Sequence, residues 1–514
     1  MPEGIKWHEW GAKAFGLSRE EKKPVLLDIF GKWCHWCHRM DEDTYENLEV
    51  AREVNSSFIP VRVDTDRRPD INERYNQGGW PTTVFLDGNG NILAGGTYFP
   101  PGQFLDLLEQ AKYLFENNIK FEKNGPRTWN KGVVTEEILM ELEEMAKGSF
   151  DPYHGGFGHS PRIHTSEVGL PEPKFPMAEL LEFLLKRYKK TGRKEFLEMV
   201  EKSLDGMIGG IFDRIEGGFF RYSVTGDWKL PHYEKMLETN SSLVKILSLA
   251  YELTGKKAYL EAAEKTVGYL LKSMANHEGG FFASQDADAK LTSDTHIRGG
   301  ISGDAYYGKK LEERRKLPEP YIDKTVFADL NGKAIVDLLE YLKVKKDKKL
   351  EEFLLKTMGH MEKFWSEKNG AAHYFERQDS PQISGKAVKA AQPVYLGLLR
   401  DNLALGMAFL EGGRFFRRED WIKKAEEIGN YILENFLDSE TPGLFDKLPG
   451  GEGRLAVLEK RIQDNSFAAT FFMELGKGFS DKAEGILETF AIDWKRYGLV
   501  AGEYGLAVMK IVGE

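Results

Sequence analysis

The chain has 514 residues, of which 41% are hydrophobic and 12% aromatic, so it is long enough to form more than one domain with a buried core. Acidic residues outnumber basic residues by 81 to 71 and no long basic run occurs, which argues against a nucleic-acid partner. The sequence contains no run of about 18 apolar residues and no apolar signal segment at its start, so we expect a cytoplasmic protein without a membrane anchor.

The N-terminal part of the chain has the pattern of a small α/β domain. Between Pro24 and Phe99, the runs PVLLDIF and FIPVRVD predict buried strands, and TTVFLDGNGNILAGG predicts a hairpin that turns at Gly88 to Gly90. Residues Met40 to Val54 predict a helix. The segment KFEKNGPRTWNKG is polar and rich in turn residues, so we place the end of this domain at residue 125 and the start of the next at residue 132.

The rest of the chain, residues 132–514, is predicted to be helical. Apolar residues recur there at spacings of three and four, and several predicted helices end at glycine. A short glycine-aromatic motif follows helical stretches, and it begins at His154, Gly217, Gly279, Gly370, Gly443 and Gly498. A period of about 60 residues fits one helical hairpin, so six units predict a closed (α/α)6 toroid. An irregular bundle or an open solenoid is the alternative.

The two cysteines, Cys34 and Cys37, lie two residues apart in the stretch FGKWCHWCHRM. In a reducing compartment, such a pair is typical of a catalytic or metal-binding site rather than a structural disulfide. A structural zinc would need a second pair of ligands, and c-type haem attachment would need export. We therefore predict no metal site and no cofactor, while two ordinary cysteines are the simplest alternative to a redox pair.

The surroundings of the pair favour redox chemistry. The cysteines follow an apolar strand and precede a predicted helix, so Cys34 would lie near a helix N-terminus, where the macrodipole stabilises a thiolate. Cys37, one turn further along, would resolve a mixed disulfide. In GGWPTTVFLDGNG, Pro81 precedes another strand, and a cis proline facing the dithiol would leave a backbone edge open for a substrate peptide.

These segments resemble the thioredoxin superfamily. VLLDIFGKWCHWC is similar to its strand, Trp and Cys-x-x-Cys, and WPTTVFLDGNG is similar to its cis-proline strand and hairpin. The resemblance implies that Asp28 is a buried carboxylate that helps to deprotonate the resolving cysteine. His35 and Trp36 stand where thioredoxin itself has Gly-Pro, and a histidine there can make the pair more oxidising, so the redox direction stays open.

A narrower resemblance covers most of the chain. The blocks KWHEWGAKAF, GGTYFPP, GGFFRYSVTGDWKLPHYEKML and GGFFASQDAD resemble the spermatogenesis-associated, thioredoxin-domain family. That resemblance implies a thioredoxin-like domain joined to an α/α toroid similar to six-hairpin glycosidases and N-acylglucosamine 2-epimerases. The chain departs from the family in a Lys- and Arg-rich insertion after DAD and in a short C-terminal third.

A second group of polar and aromatic residues lies in predicted loops of the helical domain. Loops of consecutive hairpins gather at one end of a toroid, so we expect them to line one axial pocket. The predicted pocket residues are Arg221, Tyr222, Trp228, His232, Glu234, Lys235, Asp286 and Asp288.

Aromatic faces beside hydrogen-bonding groups suit a sugar. Epimerisation would use a base such as His232, whereas hydrolysis would use two carboxylates such as Glu234 and Asp286. A buried ion-pair network of Arg221, His232 and Glu234 is the structural alternative.

Two functional hypotheses follow. In the first, the chain is a thiol–disulfide oxidoreductase that acts on a disulfide-containing protein or a small thiol, and the toroid binds the substrate or a partner. In the second, the toroid is a carbohydrate-modifying epimerase, isomerase or glycosidase-like enzyme that binds a sugar, and the dithiol regulates it. A binding scaffold with neither activity is a third class.

Overall fold

The structure is a computed structural model that describes residues 4–119, 129–158, 173–289, 300–376, 391–476 and 478–513. The chain divides into two compact units. The first unit comprises Met1–Thr128, Asp286–Asp323 and Pro449–Leu458. The second unit comprises Trp129–Gln285, Lys324–Leu448 and Glu459–Glu514. Within the described ranges, none of the helices is both long enough and apolar enough to cross a membrane.

The N-terminal segment of the first unit forms a mixed sheet with helices on both faces. Its elements are α1 (Ala12–Glu21), β1 (Val25–Phe30), α2 (His35–Met40), α3 (Leu48–Ser57), β2 (Ile59–Asp64), α4 (Pro69–Tyr75), β3 (Thr82–Leu86), β4 (Ile92–Gly96) and α5 (Pro101–Glu116). A π-helical turn at Asp41–Tyr45 continues α2. The strand order is β2-β1-β3-β4, in which β1 pairs in parallel with β2 and antiparallel with β3, and β3 and β4 form a hairpin.

The central strand β1 is buried on both faces, which explains why all its residues except Asp28 are apolar. Successive side chains of a strand point to opposite faces. Leu27 and Ile29 accordingly pack in one apolar cluster with Phe15. Leu26 packs in the cluster on the other face with Phe104 of α5. This rigid strand leads directly to the turn that carries the cysteines.

The remaining elements follow in chain order. They are α6 (Glu136–Ser149), α7 (Ala178–Thr191), α8 (Lys194–Gly210), β5 (Tyr222–Ser223), β6 (Pro231–His232), β7 (Lys235–Met236), α9 (Leu237–Thr254), α10 (Lys257–Tyr269), β8 (Ser284–Ala289), α11 (Gly303–Tyr307), α12 (Leu311–Arg314), β9 (Pro320–Asp323), α13 (Ala328–Val344), α14 (Lys348–Met361), β10 (Trp365–Ser366), β11 (Gly370–Ala371), β12 (Tyr374–Glu376), β13 (Gln392–Val394), α15 (Leu399–Phe416), α16 (Glu419–Phe436), α17 (Ile462–Leu475), α18 (Ser480–Glu488) and α19 (Gly502–Ile511). Short 3-10 segments occur at Glu362–Phe364, Gly453–Ala456 and Trp494–Ala501, and a π-helical turn occurs at Leu270–Met274.

The helices of the second unit form a closed double ring. Among the described residues, the inner ring runs through α7, α9, α13, α15, α17 and α19, each packed on the next, and α19 returns to α7. The outer helices α8, α10, α14, α16 and α18 each follow an inner helix, whereas α6 packs on α19. The first and last helices of this unit therefore form the sixth pair. The predicted fold class, a thioredoxin-like α/β domain with an (α/α)6 toroid, is confirmed.

Asparagines tie the glycine-aromatic turns to the inner helices. Asn240, Asn331, Asn402 and Asn465 each occupy the fourth position of their helix. Their Oδ1 atoms accept the backbone N–H of Phe219, Phe281, Ala371 and Leu444 at 2.7, 2.6, 3.0 and 2.7 Å. The turns need glycine: Gly217 has φ +85° and an added Cβ would lie 2.3 Å from the carbonyl oxygen of Lys265. This contact explains why the motif recurs along the chain.

The structure differs from the predicted domain boundaries in two segments. Asp286–Asp323 and Pro449–Leu458, which the sequence assigns to the helical domain, belong to the first unit. Hydrogen bonds within that unit account for the difference: the N–H of Ala287 donates to the carbonyl of Trp33, and the N–H of Arg454 donates to the hydroxyl of Tyr75. Residues 120–128 of the predicted linker and 290–299 of the predicted insertion lie outside the described residues.

Candidate functional site

Cys34 and Cys37 form a disulfide at the start of α2. Cys34 is the N-cap residue of this helix, and its Sγ accepts a hydrogen bond from the backbone N–H of Cys37 at 3.1 Å. The exposed fractions of the two residues are 3% and 2%. In the reduced protein, the same N–H and the positive end of the helix macrodipole would favour Cys34 as the thiolate.

Aromatic side chains surround the dithiol. The indole of Trp33 meets the indole of Trp80 edge-on, with ring centroids 5.5 Å apart. Trp36, between the cysteines, is 45% exposed and packs against Tyr98 at 5.3 Å. The Trp80–Pro81 peptide bond is cis, and Pro81 immediately precedes β3. These residues give the dithiol an apolar border on which a substrate could rest.

Asp28 lies on β1 and is fully buried. Its Oδ1 accepts a hydrogen bond from the hydroxyl of Tyr45 at 3.2 Å, and its Oδ2 lies 2.9 Å from Nε of Arg62. Arg62 also donates to both carboxylate oxygens of Asp41 at 2.8 Å. Burial raises the pKa of Asp28 to about 7, although the charge of Arg62 opposes this shift. The carboxyl group can therefore gain or lose a proton near neutral pH.

Asp286 and Asp288, which the sequence places in the toroid pocket, instead lie beside the dithiol in the first unit. Oδ2 of Asp288 is 2.6 Å from Nδ1 of His35, and Oδ2 of Asp286 is 3.1 Å from Nε2 of His38. Burial alone would raise the pKa of Asp288, but the hydrogen bond and charge of His35 hold it below its usual value. Each histidine of the CHWCH motif thus contacts a carboxylate.

Four of the other predicted pocket residues come together between α8 and α9. The imidazole of His232 stacks on the ring of Tyr222, with centroids 4.5 Å apart, and its Nδ1 lies 3.3 Å from Oε1 of Glu234. The backbone N–H of Arg221 donates to the carbonyl of Glu234. Glu234 is 2% exposed, and its Oε2 finds no hydrogen-bond partner among the described residues. Burial and the nearby Glu234 carboxylate raise the pKa of Tyr222 to about 12.

The remaining two predicted pocket residues, Lys235 and Trp228, are buried in the loop scaffold. Nζ of Lys235 donates to Oδ2 of Asp213 and to the carbonyl of Gly217, both at 2.8 Å. Equivalent buried pairs in other repeats are Lys174 with Asp151 and Lys460 with Asp438. Trp228 is fully buried, and its Nε1 donates to the carbonyl of Gly155. The structure therefore gives both residues a part in holding loops together.

Sequence reasoning missed a cavity of about 290 Å³ where the inner helices of the second unit begin. Its charged lining residues are Glu179, Glu238, Lys333, Arg400, Arg461, Asp464 and Glu503. Glu179, Glu238, Arg400 and Glu503 each occupy the second position of an inner helix, which is the sequence signal that could have revealed them. Burial raises the pKa of Glu503 to about 7, although the charge of Lys333 opposes this shift. We call this space the axial cavity.

One buried cluster in the described part of the chain has the geometry of metal ligands. The potential ligand atoms of Asp329, His373 and Asp401 lie within 4.8 Å of one another. Nδ1 of His373 is 2.9 Å from Oδ1 of Asp401, and Nε of Arg400 is 3.2 Å from Oδ2 of Asp329. Because the imidazole of His373 and the guanidinium of Arg400 contact the two carboxylates, we interpret the cluster as a buried polar network.

Comparisons with known proteins agree with this architecture. Residues 1–129 match the family Thioredox_DsbH, described as a protein of unknown function, DUF255. Human spermatogenesis-associated protein 20 is 31% identical over 345 residues, which are 62% of this chain and 43% of the human protein. The chain thus spans less than half the length of that relative. These matches confirm the predicted resemblance to the spermatogenesis-associated, thioredoxin-domain family.

Two further proteins match one part of the chain each. The thiol:disulfide interchange protein DsbD of Yersinia pestis strain Pestoides F is 25% identical over 101 residues, which are 18% of this chain and 17% of DsbD. The crystal structure of a D-mannose isomerase matches with a TM-score of 0.51 and 11% identity, over 76% of this chain and 99% of the isomerase. At that identity, the isomerase supports the toroid fold alone.

Proposed function

We propose that this chain, whose first 129 residues match the Thioredox_DsbH family, is a thiol–disulfide oxidoreductase with Cys34 and Cys37 as its redox pair. The Cys34 thiolate attacks one sulfur of a substrate disulfide and forms a mixed disulfide, while the other substrate sulfur leaves as a thiolate. Cys37 then attacks the Cys34 sulfur, which closes the Cys34–Cys37 disulfide and releases the second substrate thiol. Two electrons pass from the dithiol to the substrate, and the reverse sequence oxidises a substrate dithiol.

The observation that carries this proposal is the position of Cys34 at the start of α2. Its sulfur already accepts the backbone N–H of Cys37, so a negative charge there would meet a hydrogen-bond donor without rearrangement. Cys37 lies inside the helix and is as buried as Cys34, which suits a resolving thiol. The similarity of this segment to DsbD, a protein named for thiol:disulfide interchange, supports the same reaction.

Asp28 supplies a buried proton acceptor in this scheme. Its pKa of about 7 allows the carboxylate to take the proton of the Cys37 thiol before resolution and to release it afterwards. From the resemblance to thioredoxins, we propose that a substrate peptide binds beside Pro81. The substrates we propose are a disulfide-containing protein or a small thiol, and the toroid binds the substrate or a partner.

Disulfide reduction by the full-length chain tests this proposal. With dithiothreitol as the reductant, the wild-type chain should reduce insulin disulfides faster than the reductant alone, and Cys34→Ser should return the rate to background. Cys37→Ser is the matched control, because it retains the attacking thiol but lacks the resolving one. Once reduced and freed of dithiothreitol, it should form a mixed disulfide with insulin and retain it. A wild-type chain without effect on insulin, glutathione disulfide or cystine would overturn the proposal.

A second candidate function is carbohydrate modification in the toroid. The axial cavity favours it, because carboxylates and cations line a space that could hold a ligand rich in hydroxyl groups. Glu503, with a pKa of about 7, is the lining residue best suited to proton transfer, and the mannose isomerase that shares the fold is named for a sugar reaction.

A screen of free and phosphorylated sugars in deuterated water tests the second candidate. Epimerisation or isomerisation beside a carbonyl would incorporate deuterium, which NMR detects, and Glu503→Gln should stop it. Glu144→Gln, a change at a mostly exposed carboxylate of α6, is the matched control and should leave the rate unchanged. No deuterium incorporation and no thermal shift with any sugar would eliminate this function.

A further inference from the structure

The strand residues Asp286 and Asp288 hold the two histidines of the CHWCH motif. Besides contacting His35, Asp288 accepts the backbone N–H of Gly303 through Oδ1 at 2.9 Å, and its own N–H donates to Oδ1 of Asp286 at 3.0 Å. Asp286 contacts His38 through its other oxygen. Both carboxylates are therefore fixed in direction by backbone groups before they meet an imidazole.

We propose that Asp288 is a positioning residue for the redox reaction, because it holds the imidazole of His35, between the two cysteines, in its cationic form. This inference rests on the proposed oxidoreductase function, and it adds Asp288 to the residues that set the reactivity of Cys34. A carboxylate at 2.6 Å stabilises an imidazolium by charge and by hydrogen bonding. The side chains of Asp288 and His35 are 11% and 33% exposed, so solvent screens the pair only in part.

A cationic His35 stabilises the thiolate of its neighbour Cys34. A more stable thiolate makes Cys34 a better leaving group and makes the disulfide more oxidising. The negative charge of Asp288 acts in the opposite direction, since an anion near the dithiol destabilises a thiolate. The two effects have opposite signs, so the sign of the change on removing the carboxylate charge identifies the effect that dominates.

Other charged groups face the pair as well. His38 and Asp286 lie alongside, and Glu42, on the π-helical turn after α2, interacts electrostatically with Asp288. Glu42 is itself paired with Arg39 at 3.1 Å. These groups are the same in the parent chain and in a variant that changes Asp288 alone. They therefore contribute equally to the Cys34 thiol pKa of both proteins.

The test measures the thiol pKa of Cys34 in full-length protein that carries Cys37→Ser, so that Cys34 is its one cysteine. The rate of alkylation by iodoacetamide is followed from pH 4 to pH 10. We expect Asp288→Asn to raise the thiol pKa by about one unit and to slow alkylation at pH 6 up to tenfold. In a chain that also carries His35→Gln, Asp288→Asn should not raise the thiol pKa any further.

Asp323→Asn is the matched control, because Asp323 lies in the same segment and pairs with Lys32 and Arg67 rather than with a histidine. It should leave the thiol pKa unchanged. Suppose that the thiol pKa of Cys34 is below its ordinary value in the Cys37→Ser parent. If Asp288→Asn then leaves that pKa unchanged or lowers it, the positioning role of Asp288 is overturned, whereas the proposed oxidoreductase function is not. A parent value near about 8.5 would overturn both. If the Asp288→Asn variant does not fold, His35→Gln is measured instead. The proposal requires His35→Gln to raise the thiol pKa of Cys34, and an unchanged or lower pKa would overturn it.

Discussion

Nδ1 of His35 lies 2.6 Å from Oδ2 of Asp288, although the two residues are 253 positions apart in the chain. This contact joins the CHWCH motif to the SQDAD motif, which the repeat pattern assigns to the toroid. The backbone N–H of Ala287 also donates to the carbonyl of Trp33, directly before Cys34. The dithiol is therefore enclosed by residues from two distant parts of the sequence.

Asp28 should make the stability of the oxidised protein depend on pH. Its pKa is about 7 in the folded chain against the ordinary aspartate value of 3.8, so between these values the folded state retains a proton that the unfolded state has lost. Its contribution to the free energy of unfolding therefore falls as pH rises from about 4 to about 7. Urea denaturation should show Asp28→Asn gaining stability relative to wild type across this window. If the difference in unfolding free energy between Asp28→Asn and wild type does not vary with pH, the raised pKa of Asp28 is contradicted.

Lys235 should be required for stability rather than for sugar binding. Replacing it with Met removes the ammonium group that contacts the buried carboxylate of Asp213, and we expect a loss of about 3–5 kcal/mol in the free energy of unfolding. Lys229→Met is the matched control, because Lys229 is 79% exposed, and it should change stability by less than about 1 kcal/mol. Equal losses of unfolding free energy in Lys235→Met and Lys229→Met would argue against a stabilising role of the buried Lys235–Asp213 ion pair.

The asparagines of the inner helices should stabilise the toroid. Asn331→Ala leaves the buried N–H of Phe281 without its acceptor, and we expect a cost of about 1–3 kcal/mol. Asn435→Ala removes an exposed side chain that bonds only a local carbonyl, that of Tyr431, and serves as the comparison. Thermal unfolding of both variants measures the difference, which should be several degrees.

Close packing of the inner ring should make Gly332 irreplaceable. A Cβ on Gly332 in α13 would lie 2.5 Å from the backbone of Ala404 in α15, so Gly332→Ala should separate the two helices and lower the melting temperature. A Cβ on Gly359 in α14 meets nothing within 4 Å. Gly359→Ala should therefore be neutral or stabilising by about 0.5–1 kcal/mol, because Ala favours helix. A Gly332→Ala chain as stable as wild type would contradict the packing of these helices.

The dithiol region could be predicted because its signals are local. An apolar strand, a turn and a helix start fix Cys34, Cys37 and Asp28 relative to one another over a short stretch of chain. The closed ring was predictable because each helical pair repeats the same glycine-aromatic turn. Its sixth pair, α6 with α19, joins the two ends of the unit, so these two helices are far apart in the sequence.

The rest of the site depends on contacts that a single sequence does not encode locally. Asp286 and Asp288 reach the histidines because the chain re-enters the first unit after Gln285, and no periodicity marks that change. In the axial cavity, Glu179 and Glu503 look like ordinary acidic residues of a first helical turn, where they complement the macrodipole. Only the closure of six helices brings them together.

The most direct test of the redox pair is the mass of the reduced Cys37→Ser chain after reaction with glutathione disulfide and acid quenching. We expect one glutathione attached at Cys34, formed rapidly at pH 7, because the variant can attack but cannot resolve the mixed disulfide. The wild-type chain should finish without an adduct, as an internal disulfide. Slow attachment to Cys34, at the rate of a simple thiol, would contradict the account.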